Sequence, residues 1–151
     1  MRNGVRIRYV CLGLAIMHTG LFTYFALARV PLPLPLGPPL RQMILHVVAY
    51  GILALLLSGA WLSASRKALP MILIGAALAS FSYGVLVEAL QALLPWRACA
   101  WNDLLYNGLG VFVGVAAMGW IFRPSGAGQE ASATSCGERA GEMHGLKAGV
   151  A

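Results

Sequence analysis

Four long apolar runs, separated by short polar segments, constrain this chain more than any other feature. A helix needs about 20 predominantly apolar residues to cross a bilayer, and each run is long enough to do so. The chain is 59% hydrophobic and only 11% charged, whereas about a quarter of the residues in a soluble domain are charged. We therefore predict an all-α polytopic membrane protein, a bundle of four transmembrane helices. The predicted helices cover about residues 9–28, 42–62, 69–94 and 103–122.

The positive charge of the chain does not indicate nucleic-acid binding. The net charge of +6 reflects a total of only five acidic residues, and the lysines and arginines are scattered between apolar runs instead of forming a basic surface. Cys11, Cys99 and Cys136 form no CxxC pair and have no metal-ligand spacing. We predict membrane lipid as the surroundings of the chain and no nucleic-acid partner.

The apolar runs define a transmembrane domain at residues 1–123, and the rest of the chain differs from it in composition. Residues 124–151 are rich in Gly, Ala, Ser and Glu without apolar periodicity, which predicts a disordered tail. The proline-rich segment from Arg29 to Leu40 predicts an extended spacer. The basic start and the following apolar run also resemble a signal peptide, but the run exceeds the usual signal core of about 7–15 residues. We favour a retained first helix.

The distribution of basic residues predicts the orientation, because cytoplasmic loops carry an excess of Lys and Arg. The N-terminus, the second loop and the start of the tail share one side and carry more of these residues than the other side. We therefore expect both termini to be cytoplasmic. The richer side has Arg2, Arg6, Arg8, Arg66, Lys67 and Arg123, and the poorer side has Arg29, Arg41 and Arg97.

Only two acidic residues, Glu88 and Asp103, lie outside the tail. An acid at membrane depth costs several kcal/mol unless it is paired, so it marks a functional site. The orientation above places both acids near the outer surface, together with polar residues of three predicted helices. We expect these side chains to form one outward-facing polar pocket. They are His46, Tyr50, Glu88, Gln91, Arg97, Asp103 and Asn107.

Helical spacing places several of these residues on common faces. His46 and Tyr50 are four residues apart, and Glu88 and Gln91 three apart. Asn102 or Asp103 is suited to cap the fourth helix. The Gly110–Gly114 pair predicts close packing within the chain rather than dimerisation. For His18, in the first helix, we favour a neutral ring that is bonded to a neighbouring helix or faces a polar pocket over a buried proton carrier or ligand.

The chemistry of the expected pocket allows several roles. Glu88 and His46 suit a general acid/base pair, with Asp103 as a further catalytic candidate. Arg97 can pair with Asp103 or hold a phosphate or carboxylate. We expect Gln91, Asn107 and Tyr50 to form hydrogen bonds around a ligand.

Two other roles stay open for the same residues. His46, Glu88 and Asp103 can chemically bind a divalent ion, but their spacing matches no known metal signature, so we assign no metal and no cofactor. Alternatively, the polar side chains serve only to tie the helices together, at about 1 kcal/mol for each bond.

These residues resemble the VanZ-like family. The resemblance covers about Arg41 to Trp120 and implies a small helical integral membrane protein of bacterial type, with a role in resistance to the glycopeptide teicoplanin. The sequence departs from the family pattern at Gln42 and Met43, where an acidic-basic pair is common, and at Trp96, where Gly is common. The matching elements are His46-x3-Tyr50, Glu88-x2-Gln91, Pro95-x-Arg97 and Arg97-x5-Asp103-x3-Asn107-x2-Gly110-x3-Gly114.

The sequence and the resemblance together lead to one main expectation. It is a VanZ-like protein of the bacterial cytoplasmic membrane whose outward-facing pocket binds or acts on a cell-envelope or lipid-linked ligand, with a link to antibiotic resistance. The alternatives are an intramembrane acid/base enzyme that uses Glu88 and His46, and a structural or accessory membrane subunit without catalysis.

Overall fold

A computed structural model describes residues 2–28, 35, 37–64, 68–95 and 101–122. These residues form helices and their immediate flanks, with no strand among them, which confirms the all-α prediction. The predicted tail at 124–151, most of the proline-rich segment and the loop residues 96–100 lie outside the described residues. The helices are α1 (Arg2–Leu27), α2 (Pro38–Leu62), α3 (Leu69–Ala92) and α4 (Trp101–Ile121).

Three helices begin earlier than their polar or proline-rich flanks suggest, the first of them α1, which begins at Arg2 rather than near residue 9. The expectation of an extended spacer up to Leu40 is wrong at its end, because α2 already begins at Pro38. Proline suits the first turn of a helix, where its missing N–H has no acceptor to lose. Helix α4 begins at Trp101, so Asn102 and Asp103 lie inside the first turn and neither is its cap. The helix dipole still favours the negative charge of Asp103 there.

All four helices are long and apolar enough to cross a membrane, with mean hydropathies of 1.6 to 2.1 over their spans. Large apolar side chains point outward, as at Ile16, Leu78 and Phe112, which are 72%, 64% and 66% exposed. Polar side chains are buried instead. This arrangement is the reverse of a soluble protein, and it suits a lipid environment. The buried polar residues are His46, Ser58, Ser80, Glu88, Gln91, Asp103 and Asn107.

Helix α2 occupies the centre of the bundle. Within its span 44% of the residues are buried, against 11% for α1. It packs most extensively on α4 and also contacts α1 and α3, whereas α1 and α3 touch each other only slightly. The α1–α3 boundary is therefore the least packed of the helix boundaries described.

Two glycines of α4 allow a close approach to the backbone of α2. A Cβ atom on Gly110 would lie 2.5 Å from the carbonyl oxygen of Val47, and one on Gly114 would lie 2.5 Å from that of Gly51. Both contacts are with backbone that cannot yield without moving α2. The Gly110–Gly114 pair thus packs α4 against α2 within one chain, as the sequence predicts.

We predict that Gly114→Ala destabilises the bundle by about 1–3 kcal/mol, because the added methyl group forces α2 and α4 apart. The matched control is Gly108→Ala on the same helix, where an added Cβ meets only the Phe81 ring at an ordinary 3.6 Å. Thermal denaturation of the purified proteins in detergent measures the stability of both variants. Equal melting temperatures for the two variants would contradict the close α2–α4 approach.

Candidate functional site

Three ionisable side chains from three different helices meet at one end of the bundle. His46 of α2, Glu88 of α3 and Asp103 of α4 each offer one ligand atom, and these atoms all lie within 4.8 Å of one another. The three residues are 7%, 3% and 3% exposed. Together with Asn107 of α4, which is fully buried, they form what we call the polar centre.

The positions of these residues along their helices explain why they meet. His46 is eight residues after Pro38, Glu88 is four residues before Ala92, and Asp103 is two residues after Trp101. At a rise of about 1.5 Å per residue, each lies within about 12 Å of its helix end. The start of α2, the end of α3 and the start of α4 therefore contribute to the same end of the bundle.

The hydrogen bond between His46 and Asn107 defines which ring nitrogen carries the proton in a neutral imidazole. His46 Nδ1 lies 2.7 Å from Asn107 Oδ1. Because an amide oxygen can only accept, Nδ1 carries the proton and donates it. In the neutral ring, the lone pair then lies on Nε2. This nitrogen can accept a proton or bind a metal ion.

Gln42 holds Asp103 in place, and the sequence indicated no such role for it. Its Nε2 donates to Asp103 Oδ2 at 2.5 Å, across the boundary between α2 and α4. In the sequence, Gln42 stands out only as a departure from the family pattern. Its position four residues before His46 puts both on one face of α2, and this spacing was the available signal.

Two polar atoms beside the polar centre have no hydrogen-bond partner among the described residues. They are Asn107 Nδ2 and the Tyr50 hydroxyl, and Tyr50 is only 1% exposed. Gly84 of α3 makes room for both residues, since a Cβ there would lie 2.9 Å from Asn107 Nδ2 and 3.0 Å from the Tyr50 ring. Buried polar atoms without partners are uncommon, so the amide and the hydroxyl are available to a bound group.

An aromatic ring of α1, that of Phe22, packs against the polar centre. The Phe22 ring meets His46 edge-on at a centroid distance of 5.9 Å and Tyr50 at 5.4 Å. The rings of His46 and Tyr50 are stacked at 6.2 Å. Phe22 thus contacts one side of the imidazole and gives that side of the ring an apolar neighbour.

Polar contacts also connect α1 to its neighbours. Gln91 Nε2 donates to the Ala26 carbonyl oxygen at 3.0 Å, so Gln91 joins α3 to α1 rather than facing the polar centre through this atom. His18 Nε2 donates to the Ala49 carbonyl oxygen at 2.9 Å, which confirms the predicted bond to a neighbouring helix. The Tyr83 hydroxyl bonds to Thr23 Oγ1 and to the Thr19 carbonyl oxygen, a contact that the sequence did not predict.

Two surface grooves lie beside the polar centre and are lined by other residues. A groove of about 450 Å³ between α3 and α4 is lined by Phe81, Trp101, Leu104, Leu105 and Gly108. A wider groove of about 780 Å³ follows the α1–α3 boundary. Its lining consists of Ile16, Thr19, Gly20, Thr23, Tyr24, Leu27, Ala28 and Tyr83.

The predicted site residues fall into three groups. His46, Glu88, Asp103 and Asn107 meet in the polar centre, and Tyr50 borders it. Gln91 lies at the same end, bonded to α1. Arg97 lies outside the described residues, so its pairing with Asp103 or with an anionic ligand stays a prediction.

The fold and this site define a small multi-pass membrane protein with a buried polar centre near one end of its bundle. The chain belongs to the VanZ/LLP1 family, whose model matches residues 14–123. This range includes all of the polar centre and most of each of the four helices. Comparisons with curated proteins and with solved structures gave no match.

We predict that the Gln42–Asp103 bond contributes about 1 kcal/mol of coupling free energy, the order found for hydrogen bonds between membrane helices. In a double-mutant cycle of Gln42→Met and Asp103→Leu, the double variant should lose less stability than the sum of the single variants. Unfolding in detergent mixtures supplies the free energies of unfolding.

The control cycle pairs Gln42→Met with Ser63→Ala, because the Ser63 hydroxyl bonds to Ala60 at the opposite end of α2. This pair should be additive within about 0.5 kcal/mol. Additivity of the Gln42 and Asp103 variants would show that the two side chains do not interact.

Proposed function

We propose that the polar centre binds the polar head group of an amphipathic cell-envelope ligand, such as a lipid-linked one, from the outer side of a bacterial cytoplasmic membrane. The observation that carries this proposal is the meeting of His46, Glu88 and Asp103 within 4.8 Å in the bundle interior. Burying ionisable groups is expensive. Simple ties between helices need only neutral partners, such as the Gln91 amide and a backbone carbonyl.

The groove along the α1–α3 boundary supports an amphipathic ligand rather than a soluble one. Its lining is mostly apolar and lies where two helices are least packed, so an acyl chain can enter it sideways from the bilayer. Tyr83 lines the groove, and its ring lies 6.1 Å from that of Tyr50. Tyr50 in turn stacks on His46. A continuous series of rings thus connects the place proposed for the tail with the place proposed for the head group.

The family resemblance extends the proposal to glycopeptide resistance. A protein that binds a lipid-linked envelope component can alter the amount or the accessibility of the target of such antibiotics. For this chain, a protective effect against teicoplanin is part of the proposal and depends on the same polar centre.

A second candidate function is acid/base catalysis by Glu88 and His46. The bond from His46 Nδ1 to Asn107 favours it, because this bond leaves Nε2 as a base inside a water-poor site. In that case the bound head group is the substrate. His46 Nε2 accepts one proton from it, and Glu88 or Asp103 donates a proton to it.

We predict that the purified chain retains its proposed ligand, and that changing the neutral side chain of the polar centre lowers the amount that stays bound. Native mass spectrometry of the purified full chain measures the ligand bound per protein. Asn107→Ala should lower it severalfold, because this variant removes both the bond to His46 and an available donor. The control Ser63→Ala, at the opposite end of α2, should retain the ligand in full.

Glu88→Gln separates the three functional readings. A binding pocket predicts weaker ligand binding by a protein that still accumulates in the membrane. A catalytic Glu88 predicts a protein that accumulates and retains the ligand but no longer protects cells. Loss of accumulation together with loss of protection supports a structural role and contradicts the proposal.

We also predict that both termini are cytoplasmic, because the more basic loops stay on the cytoplasmic side. Green fluorescent protein fused at either terminus should fluoresce, whereas alkaline phosphatase fused there should be inactive. As the internal control, fusions placed after Pro95 should give the opposite pattern. Phosphatase activity at the C-terminus of the full chain would place the polar centre on the inner side and exclude an outward-facing site.

A further inference from the structure

We infer that His46, Glu88 and Asp103 form a binding site for one divalent transition-metal ion, of the type of Zn²⁺ or Mn²⁺. The site follows from the positions, contacts and charges of these side chains. A role for this ion in holding the ligand's head group rests on the function proposed above.

The donor set fits a metal ion in number and type. An imidazole nitrogen and two carboxylate oxygens provide three protein ligands, which is the number that catalytic zinc sites use while they keep a fourth position open. Imidazole favours ions such as Zn²⁺, whereas carboxylates also suit Mn²⁺. Ca²⁺ requires six to eight oxygen ligands, more than these three side chains provide, so we expect it to bind weakly.

The distances fit as well. A tetrahedral ion at about 2.0–2.2 Å from its ligands separates the ligand atoms by about 3.3–3.6 Å. One nitrogen or oxygen atom from each of the three side chains lies within 4.8 Å of the other two. Closing that gap takes a relative movement of at most about 1.5 Å.

The surroundings of His46 are those of a metal-bound histidine. In metal sites the second ring nitrogen of a ligating histidine usually donates to an oxygen acceptor, which orients the ring. Here Nδ1 donates to Asn107 Oδ1 at 2.7 Å, which leaves Nε2 with the lone pair a metal ion requires. Asp103 has a similar support, because Gln42 donates to its Oδ2 and leaves Oδ1 for an ion.

An independent observation also indicates a bound group at this place. The Asn107 amide nitrogen and the Tyr50 hydroxyl are buried beside the polar centre without a hydrogen-bond partner among the described residues. Both can donate to an acceptor on the open side of an ion, such as a water molecule or a phosphate oxygen. Two donors in a dry interior are poorly accounted for if the site serves only to tie helices together.

Electrostatics point to the same conclusion. Two carboxylates this close in an apolar bundle repel each other and would also repel an anionic head group. A divalent cation removes both repulsions. It gives an anionic ligand a direct partner, as metal ions held by carboxylates do for phosphates in many sites.

Metal binding can be tested with the metal alone. The full chain, carrying an affinity tag without histidine, is purified in detergent and dialysed against Zn²⁺, Mn²⁺ or Ca²⁺, and the metal content is measured by mass spectrometry. We expect about one equivalent of Zn²⁺ or Mn²⁺ per chain, and none in His46→Gln or Asp103→Asn. Asn107→Ala leaves the three metal-binding side chains in place, but it should lower the affinity for the metal ion about 10- to 100-fold.

The matched control is His18→Gln, which changes another intramembrane histidine and preserves a donor to Ala49. It should retain the full metal content. No bound Zn²⁺ or Mn²⁺ in the unmodified chain, or equal binding by the His46, Asp103 and His18 variants, would overturn the inference.

A second measurement decides the matter if the ligand variants do not fold. The chain has three histidines, His18, His46 and His144, so His18→Gln with His144→Ala leaves His46 as the sole imidazole. X-ray absorption at the zinc edge should then show one imidazole and oxygen ligands. A sulfur ligand, or a spectrum without imidazole, contradicts the site. These metal-binding measurements contain no head-group ligand. They can therefore succeed even if the proposed function is wrong.

Discussion

Ionisable side chains buried in an apolar bundle have to be satisfied by one another or by a ligand, and the arrangement of α2, α3 and α4 follows from this constraint. Lipid offers no hydrogen bonds to a carboxylate, so Glu88 and Asp103 lie inside the bundle, where both are 3% exposed. His46 lies between helices at the same depth. Each of the three helices therefore contributes an ionisable group to one place, and the remaining polar contacts hold these groups in position.

Close helix packing is what makes this meeting possible. Gly110 and Gly114 bring α4 against the backbone of α2, which brings Asn107 within hydrogen-bond distance of His46. Gly84 does the same on α3, where it makes room for Asn107 and the Tyr50 ring. The glycines thus serve the site as much as the fold, because a larger residue at any of these positions would separate the side chains that the site combines. The loosely packed α1–α3 boundary, by contrast, is where the proposed ligand would enter from the bilayer.

Much of this arrangement could be predicted from the sequence, because hydrophobic runs determine spans and scarce acids mark the interior. The four spans, the pairing of Gly110 with Gly114 and the convergence of His46, Glu88 and Asp103 follow from such patterns. Helix starts were less predictable, because the first turn of a helix tolerates proline, as in α2. The Gln42–Asp103 bond and the contacts of Tyr83 with α1 depend on how the helices are rotated, which weak periodicity in an all-apolar helix does not determine. The same limit applies to the proposed metal site, whose three residues have no characteristic spacing along the chain.

The central claim is that an imidazole and a carboxylate from different helices lie side by side in the bundle interior. Asp103 is the only aspartate of the chain, so a ¹³C label on aspartate carboxyl groups reports on this residue alone. Rotational-echo double-resonance NMR of the full chain in bilayers, with ¹⁵N in the histidine rings, measures the distance. The structure predicts strong dephasing, in keeping with ligand atoms at most 4.8 Å apart, and its loss in His46→Gln. Absence of dephasing, or dephasing that persists in that variant, would contradict the account.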